Sequence, residues 1–246
     1  MEQKFLSQAR DAGWHVIAMT VDSSFSHSQQ LPANKDGETA LALRIDNHLA
    51  DRAYALESMD SFLRAERPEL LLRPTVLVGV SAGAIAVPTV AARTGPPDAA
   101  VLVAGGENVA DIIIESPLFA EHTQLVEPGD GNRAEGERFE PVTDAGLRSD
   151  FARNAFAQCR LDPARTAPSL SSTPTLMLHA KYDNIVPSHT GDDLFKSLGE
   201  PERWSYRIGH AGLCAMLPWK ANQILKWLDA VTLASRPEEV AARPPL

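Results

Sequence analysis

Two periods of apolar and polar residues alternate along the chain, and the switches between them predict an ordered series of helices and strands. Phe5, Leu6 and Ala9 share one face of a short helix that Gly13 ends, and residues 14–21 (WHVIAMTV) read as a strand. Residues 23–36, rich in Ser, Gln, Pro and Asn, read as a loop. Leu49, Ala53, Leu56, Met59 and Leu63 recur at helical spacing and predict a long helix over 45–67. After Pro74 the run 75–80 reads as a buried strand and 82–93 as an alanine-rich helix. Thr94-Gly95-Pro96-Pro97 marks a turn, and 99–104 (AAVLVA) is a third apolar strand. Strand character returns at 175–180 (TLMLHA) and 204–208 (WSYRI), with a helix near 188–198 between them. A closing helix over 213–234, with Pro218 near its start, precedes a proline-containing tail at 236–246.

Strands that alternate with helices predict an α/β fold, a parallel sheet wound with helices on both faces. Such a sheet carries its active residues on loops at the carboxyl ends of strands. Between 107 and 169 the composition shifts: an apolar patch at Ile112-Ile113-Ile114, a polar stretch over 127–133, then a helix-like run over 143–159. This segment reads as an insertion. At 246 residues the chain is expected to form a single domain, 1–246, with 107–169 inserted within it.

Bulk composition narrows the classes. A hydrophobic content of 44% and a charged content of 22% are those of a globular protein. The net charge of −9, with no dense Lys/Arg stripe, argues against a nucleic-acid or anionic-membrane partner. Cys159 and Cys214 are the two cysteines, too few for a disulfide framework and not spaced as zinc ligands, so both read as plain thiols. The first ten residues hold no apolar signal core, and no run approaches the roughly 18 apolar residues of a spanning helix. The chain as written is expected to be soluble and cytoplasmic.

Candidate chemistry begins at Gly79-Val80-Ser81-Ala82-Gly83, a G-x-S-x-G pattern between a β-branched strand and an alanine-rich helix. A serine that is to attack a carbonyl must be pushed out of its strand by a sharp turn, which strains its own backbone. Glycines two residues away on either side are expected to remove Cβ atoms that would collide across that turn. The plain alternative is an ordinary strand-to-helix turn whose serine caps the helix. Neutral serine also needs a base to take its proton and an acid to hold that base. The strand TLMLHA leads to Lys181-Tyr182-Asp183-Asn184-Ile185-Val186-Pro187, and WSYRI leads to Gly209-His210-Ala211-Gly212. Asp183 and His210 thus follow late strands, in the chain order Ser, Asp, His.

With GVSAG, LMLHAKYDNIVP and GHAGL in place, the chain resembles the α/β-hydrolase superfamily, in its esterase and dienelactone-hydrolase-like branches, over about residues 14–234. The resemblance implies Ser81 as nucleophile, Asp183 as orienting acid and His210 as general base. It also implies that the backbone N–H of Ala82 is one oxyanion-hole donor, worth about 2.7–4 kcal/mol of barrier in comparable sites. Other polar residues have plainer readings. His179 lies within a strand, His189 precedes a helix, Asp192 and Asp193 sit within that helix, and Glu107 reads as a charged rim residue. For His210 the plain alternative is a loop histidine flanked by glycines.

The resemblance implies a serine hydrolase of carboxylic esters or related acyl compounds, with a small-molecule acyl substrate and no metal or organic cofactor. A catalytically impaired relative that binds, or an acyltransferase, are the alternative readings. Residues 107–169 would form a lid, with Ile112 to Ile114 and Leu118-Phe119 either facing an apolar acyl group or packing the lid on the body. Lys181 and Tyr182 would stand beside the acid loop, and Trp219 beside the histidine. At the front, about 13 residues precede Trp14, so the superfamily's first strands and its second oxyanion donor are expected to be missing. Either the start lies too far downstream, taking any export signal with it, or the gap closes or is filled by another chain. An open gap leaves a sheet edge unpaired, which favours a homodimer.

Overall fold

The computed structural model describes residues 2–19, 29–120, 123–128 and 140–234. Its elements in chain order are α1 (Glu2–Asp11), β1 (Gln29–Pro32), α2 (Lys35–Glu66), β2 (Val76–Val80), α3 (Ala82–Thr94), β3 (Ala99–Val103), α4 (Val109–Glu115) and α5 (Pro117–Ala120). They continue with β4 (Thr123–Val126), α6 (Ala145–Gln158), α7 (Pro163–Thr166), β5 (Thr175–Ala180), α8 (Ser188–Ser197), β6 (Glu202–Tyr206) and α9 (His210–Ala234).

Four of the strands form a parallel sheet in the order β2-β3-β5-β6. Side chains of β3 and β5 alternate between two apolar layers, as a strand covered on both faces requires. Ala99, Val101, Val103, Leu176 and Leu178 face α1 and α9, while Ala100, Leu102 and Met177 face α3 and α8. A third apolar cluster lies apart from these. It joins Leu41, Ile45 and Leu49 of α2 to Ile112 and Ile113 of α4, Phe151 and Ala155 of α6, and Leu31 and Leu125 of a separate parallel pair, β1 with β4. The described residues of 107–169 are therefore packed on the front half of the chain as well as on α3 and α8.

Several sequence expectations need correction. Residues 14–19 form no strand, and 20–21 lie outside the described residues. Trp14 and Val16 are instead half-buried against the α1/α9 layer, so their alternation reflects packing without a neighbouring ladder. The expected loop over 23–36 contains β1 among its described residues, and α2 starts at Lys35, ten residues before the expected 45. Asn34 sets that start by accepting from the N–H groups of Asp36 and Gly37, both at 3.1 Å. The last strand lies over Glu202–Tyr206, two residues earlier than the 204–208 expected. The polar stretch at 127–133 and the tail at 236–246 fall largely or wholly outside the described residues. Among the described residues β2 has a hydrogen-bonded neighbour on one side, and Val78 on it is 40% exposed.

Candidate active site

Ser81 stands between β2 and α3 with φ 53° and ψ −120°, a conformation that a residue carrying a Cβ adopts only under strain. Its N–H donates to the Val103 carbonyl at 2.8 Å, which ties the turn to the adjacent strand. Gly79 is required here, because a Cβ on it would lie 2.6 Å from backbone atoms of Ala84. Gly83 is not required on that ground: a Cβ there meets nothing within 4 Å, since it points away from the turn into open space. The collision expected of both glycines belongs to Gly79.

After β5 the chain turns back along the end of β6, with the Lys181 N–H donating to the Tyr206 carbonyl and the Tyr182 N–H to that of Ile208. Asp183 is buried in this loop. Its Oδ1 accepts from the N–H groups of Ile185 and Val186, each at 2.9 Å, and its Oδ2 lies 2.7 Å from Nδ1 of His210. Nε2 of His210 lies 2.9 Å from Oγ of Ser81. In the neutral ring, with the Nδ1 proton donated to the carboxylate, Nε2 is left to accept from the Ser81 hydroxyl. His210 is not a loop residue. It is the first residue of α9, whose opening turn is closed by the Leu213 N–H on the Gly209 carbonyl at 3.0 Å.

Burial pushes the His210 pKa down, but the hydrogen bond to Asp183 and the side chain of Cys214, one turn along α9, outweigh it and raise it from 6.5 to about 9. Cys159 is a different case: burial above all, then Asp162 and Asp46, push its thiol up to about 12. That matches the plain thiol expected of it. Ala82 opens α3, where the first N–H groups have no partner inside the helix.

Ser81 borders a cavity of about 180 Å³. Ile112, Ile113, Leu118 and Phe119 line it, and the two isoleucines also belong to the third apolar cluster, so both readings of the patch hold for them. Ile114 packs in that cluster and does not line the cavity. A second wall was not anticipated: Ile45, His48, Leu49 and Arg52 of α2 line it at successive helical positions. Their spacing was visible in the sequence, but nothing local shows which element a helix face will meet. His48 is buried, and burial, followed by the charges of Arg52 and Arg44, lowers its pKa to about 4, so its ring is neutral at pH 7.

No family model matches the chain. Uncharacterized protein YdjC of Bacillus subtilis strain 168 is 30% identical over 67 residues, 27% of this chain and 58% of that protein. The esterase Pf2001 of Pyrococcus furiosus matches in structure over 73% of this chain and 61% of its own, at 13% identity and a TM-score of 0.50. An acylaminoacyl peptidase of Pyrococcus horikoshii matches over 75% of this chain and 28% of its own, at 16% identity and a TM-score of 0.48. The chain thus spans 58% of the curated relative and 61% of the esterase. It has the α/β-hydrolase fold.

Within this α/β-hydrolase fold the remaining polar residues stand away from Ser81. His179 is buried on β5 with Nε2 at 3.2 Å from the Ser188 hydroxyl, and Asp192 pairs with Arg203. Asp193 pairs with Lys196 at 2.9 Å on α8. Glu107, expected at the rim, does not line the cavity. It is half-buried near Ser197, where burial raises its pKa. Tyr182 and Trp219 are exposed, at 65% and 75%. His189 lies with Asp111 and Glu115 in a group whose ligand atoms fall within 4.8 Å of one another, a cluster able to hold a cation that the sequence did not suggest. Among the described residues, no helix is long and apolar enough to cross a membrane.

Proposed function

We propose that this chain is a serine hydrolase that cleaves a carboxylic ester or related acyl bond. The observation that supports this reading best is the continuous hydrogen-bonded relay from Ser81 through His210 to Asp183, with the serine held at a strained turn beside an apolar cavity. Ser81 Oγ attacks the acyl carbon while its proton passes to Nε2 of His210. The negative charge that develops on the carbonyl oxygen meets the Ala82 N–H. His210 then returns the proton to the leaving alcohol, and an acyl-enzyme remains on Ser81. Water attacks the acyl carbon, gives a proton to His210, and the acid leaves as Ser81 regains its own. This sequence balances without a metal or organic cofactor.

Asp183 acts through His210: it fixes the ring tautomer and stabilises the imidazolium that forms in each half-reaction. We read 1–246 as one domain and the segment 107–169, together with α2, as the lid that excludes water and shapes the acyl pocket. The test is labelling by a fluorophosphonate together with turnover of p-nitrophenyl esters. Wild type should be labelled and active, S81A neither. Labelling that persists in S81A would reject the assignment of the nucleophile.

A further inference from the structure

The cavity beside Ser81 is apolar on the side of α4, α5 and the acid loop, but α2 adds a cation to it. Arg52 lines the cavity with Ser81 and Ala82, and its Nη1 donates to the Ala82 carbonyl at 2.7 Å. That bond holds the guanidinium next to the residue that follows the nucleophile, and an arginine has further N–H groups to offer. Among the described residues Arg52 forms no ion pair, and it is the arginine that lines the cavity. A half-buried guanidinium facing apolar walls has lost hydration without regaining an anion, and a carboxylate that enters restores the balance.

We propose that Arg52 is a specificity-determining residue, selecting acyl substrates whose short chain carries a carboxylate. The inference rests on Ser81 as the acyl acceptor. The planar fork of arginine suits a carboxylate better than a neutral group. Neighbouring His48, neutral at pH 7, adds polarity to that wall without a competing charge. The size of the cavity sets the chain length: a space of about 150 Å³ holds benzene, so about 180 Å³ takes an acyl group of four to six carbons.

The test uses monomethyl glutarate, a half-ester with a free carboxylate, and its neutral counterpart methyl butyrate, titrated calorimetrically into S81A protein so that neither is consumed. Adding R52Q should weaken monomethyl glutarate binding about 10- to 100-fold, the range for a charge-assisted hydrogen bond, and leave methyl butyrate within about threefold. R52K, which keeps the charge and loses the fork, should fall between. Equal weakening of both ligands, or equal affinity for glutarate in all three proteins, would overturn the role of Arg52. Because binding is read without turnover, that outcome is separate from failure of the hydrolase reading, which fluorophosphonate labelling of wild type decides. Should R52Q not fold, loss of glutarate preference in folded R52K carries the proposal, and full retention there overturns it.

Discussion

The sheet that carries Ser81, Asp183 and His210 and the layer that covers them are held together in different ways. In the sheet, β2, β3, β5 and β6 lie side by side in chain order, and their inward faces are apolar. The covering layer joins distant segments through buried or half-buried acids. Asp46 of α2 accepts from the N–H groups of Arg160 and Leu161 at 2.9 Å, and Asp162 accepts from those of Asn108, Val109 and Ala164 at 2.8–3.0 Å. Asp162 is fully buried, and burial raises its pKa against the pull of those three donors. The comparison teaches that the strained turn at Ser81 and the proposed relay sit at the ends of the sheet's strands, while the shape of the pocket depends on polar ties that the sheet does not supply.

Replacing Ser81 breaks the comparison most sharply. S81A should lower kcat by about 10⁶-fold, as loss of a relay nucleophile does, yet leave the unfolding midpoint unchanged. D183N comes next: kcat should fall about 10⁴-fold because the wrong tautomer of His210 is favoured. It should also change the pH profile. The base acts only when neutral, so with a pKa raised to about 9 the wild-type kcat/KM should climb with pH through about 9. In D183N that midpoint should move down toward or below 6.5. The same raised pKa adds stability that is complete below about pH 6.5 and is lost as pH rises through about 9, which denaturant unfolding at several pH values will read.

D162A reverses the pattern in the covering layer. It orphans three backbone donors at the starts of α4 and α7, so urea unfolding should show a loss of about 3 kcal/mol or more, with Ser81 still labelled in the folded fraction. A stability loss under about 1 kcal/mol would remove the distinction between the two regions. The smallest effect on stability belongs to the elbow itself. S81G should abolish activity but stabilise the fold by about 1 kcal/mol, because glycine relieves the strain at φ 53°.

These two regions also differ in how far the sequence revealed them. Strands β2, β3 and β5 are short apolar runs bounded by glycine, proline and polar residues, and their signal is local. The same is true of Ser81 in its five-residue pattern and of Asp183 and His210 after their strands. The β1–β4 pair was not legible, because QQLP and TQLV are four residues each and owe their register to a partner far along the chain. The first turns of α2 were not legible either, because Gly37 within them serves a tertiary contact: its missing Cβ is what lets the helix approach the Pro32 carbonyl, 1.9 Å from where that atom would be. Arg52 and His48 were not legible as site residues because a helical spacing reports a face and not what it meets.

The direct test of the relay is mass-spectrometric mapping of the fluorophosphonate adduct in wild type and in H210Q. The account predicts a single adduct on the peptide containing Ser81, formed at least about 100-fold more slowly in H210Q, the scale of a general-base contribution. An adduct on another residue, or an unchanged rate in H210Q, would contradict it.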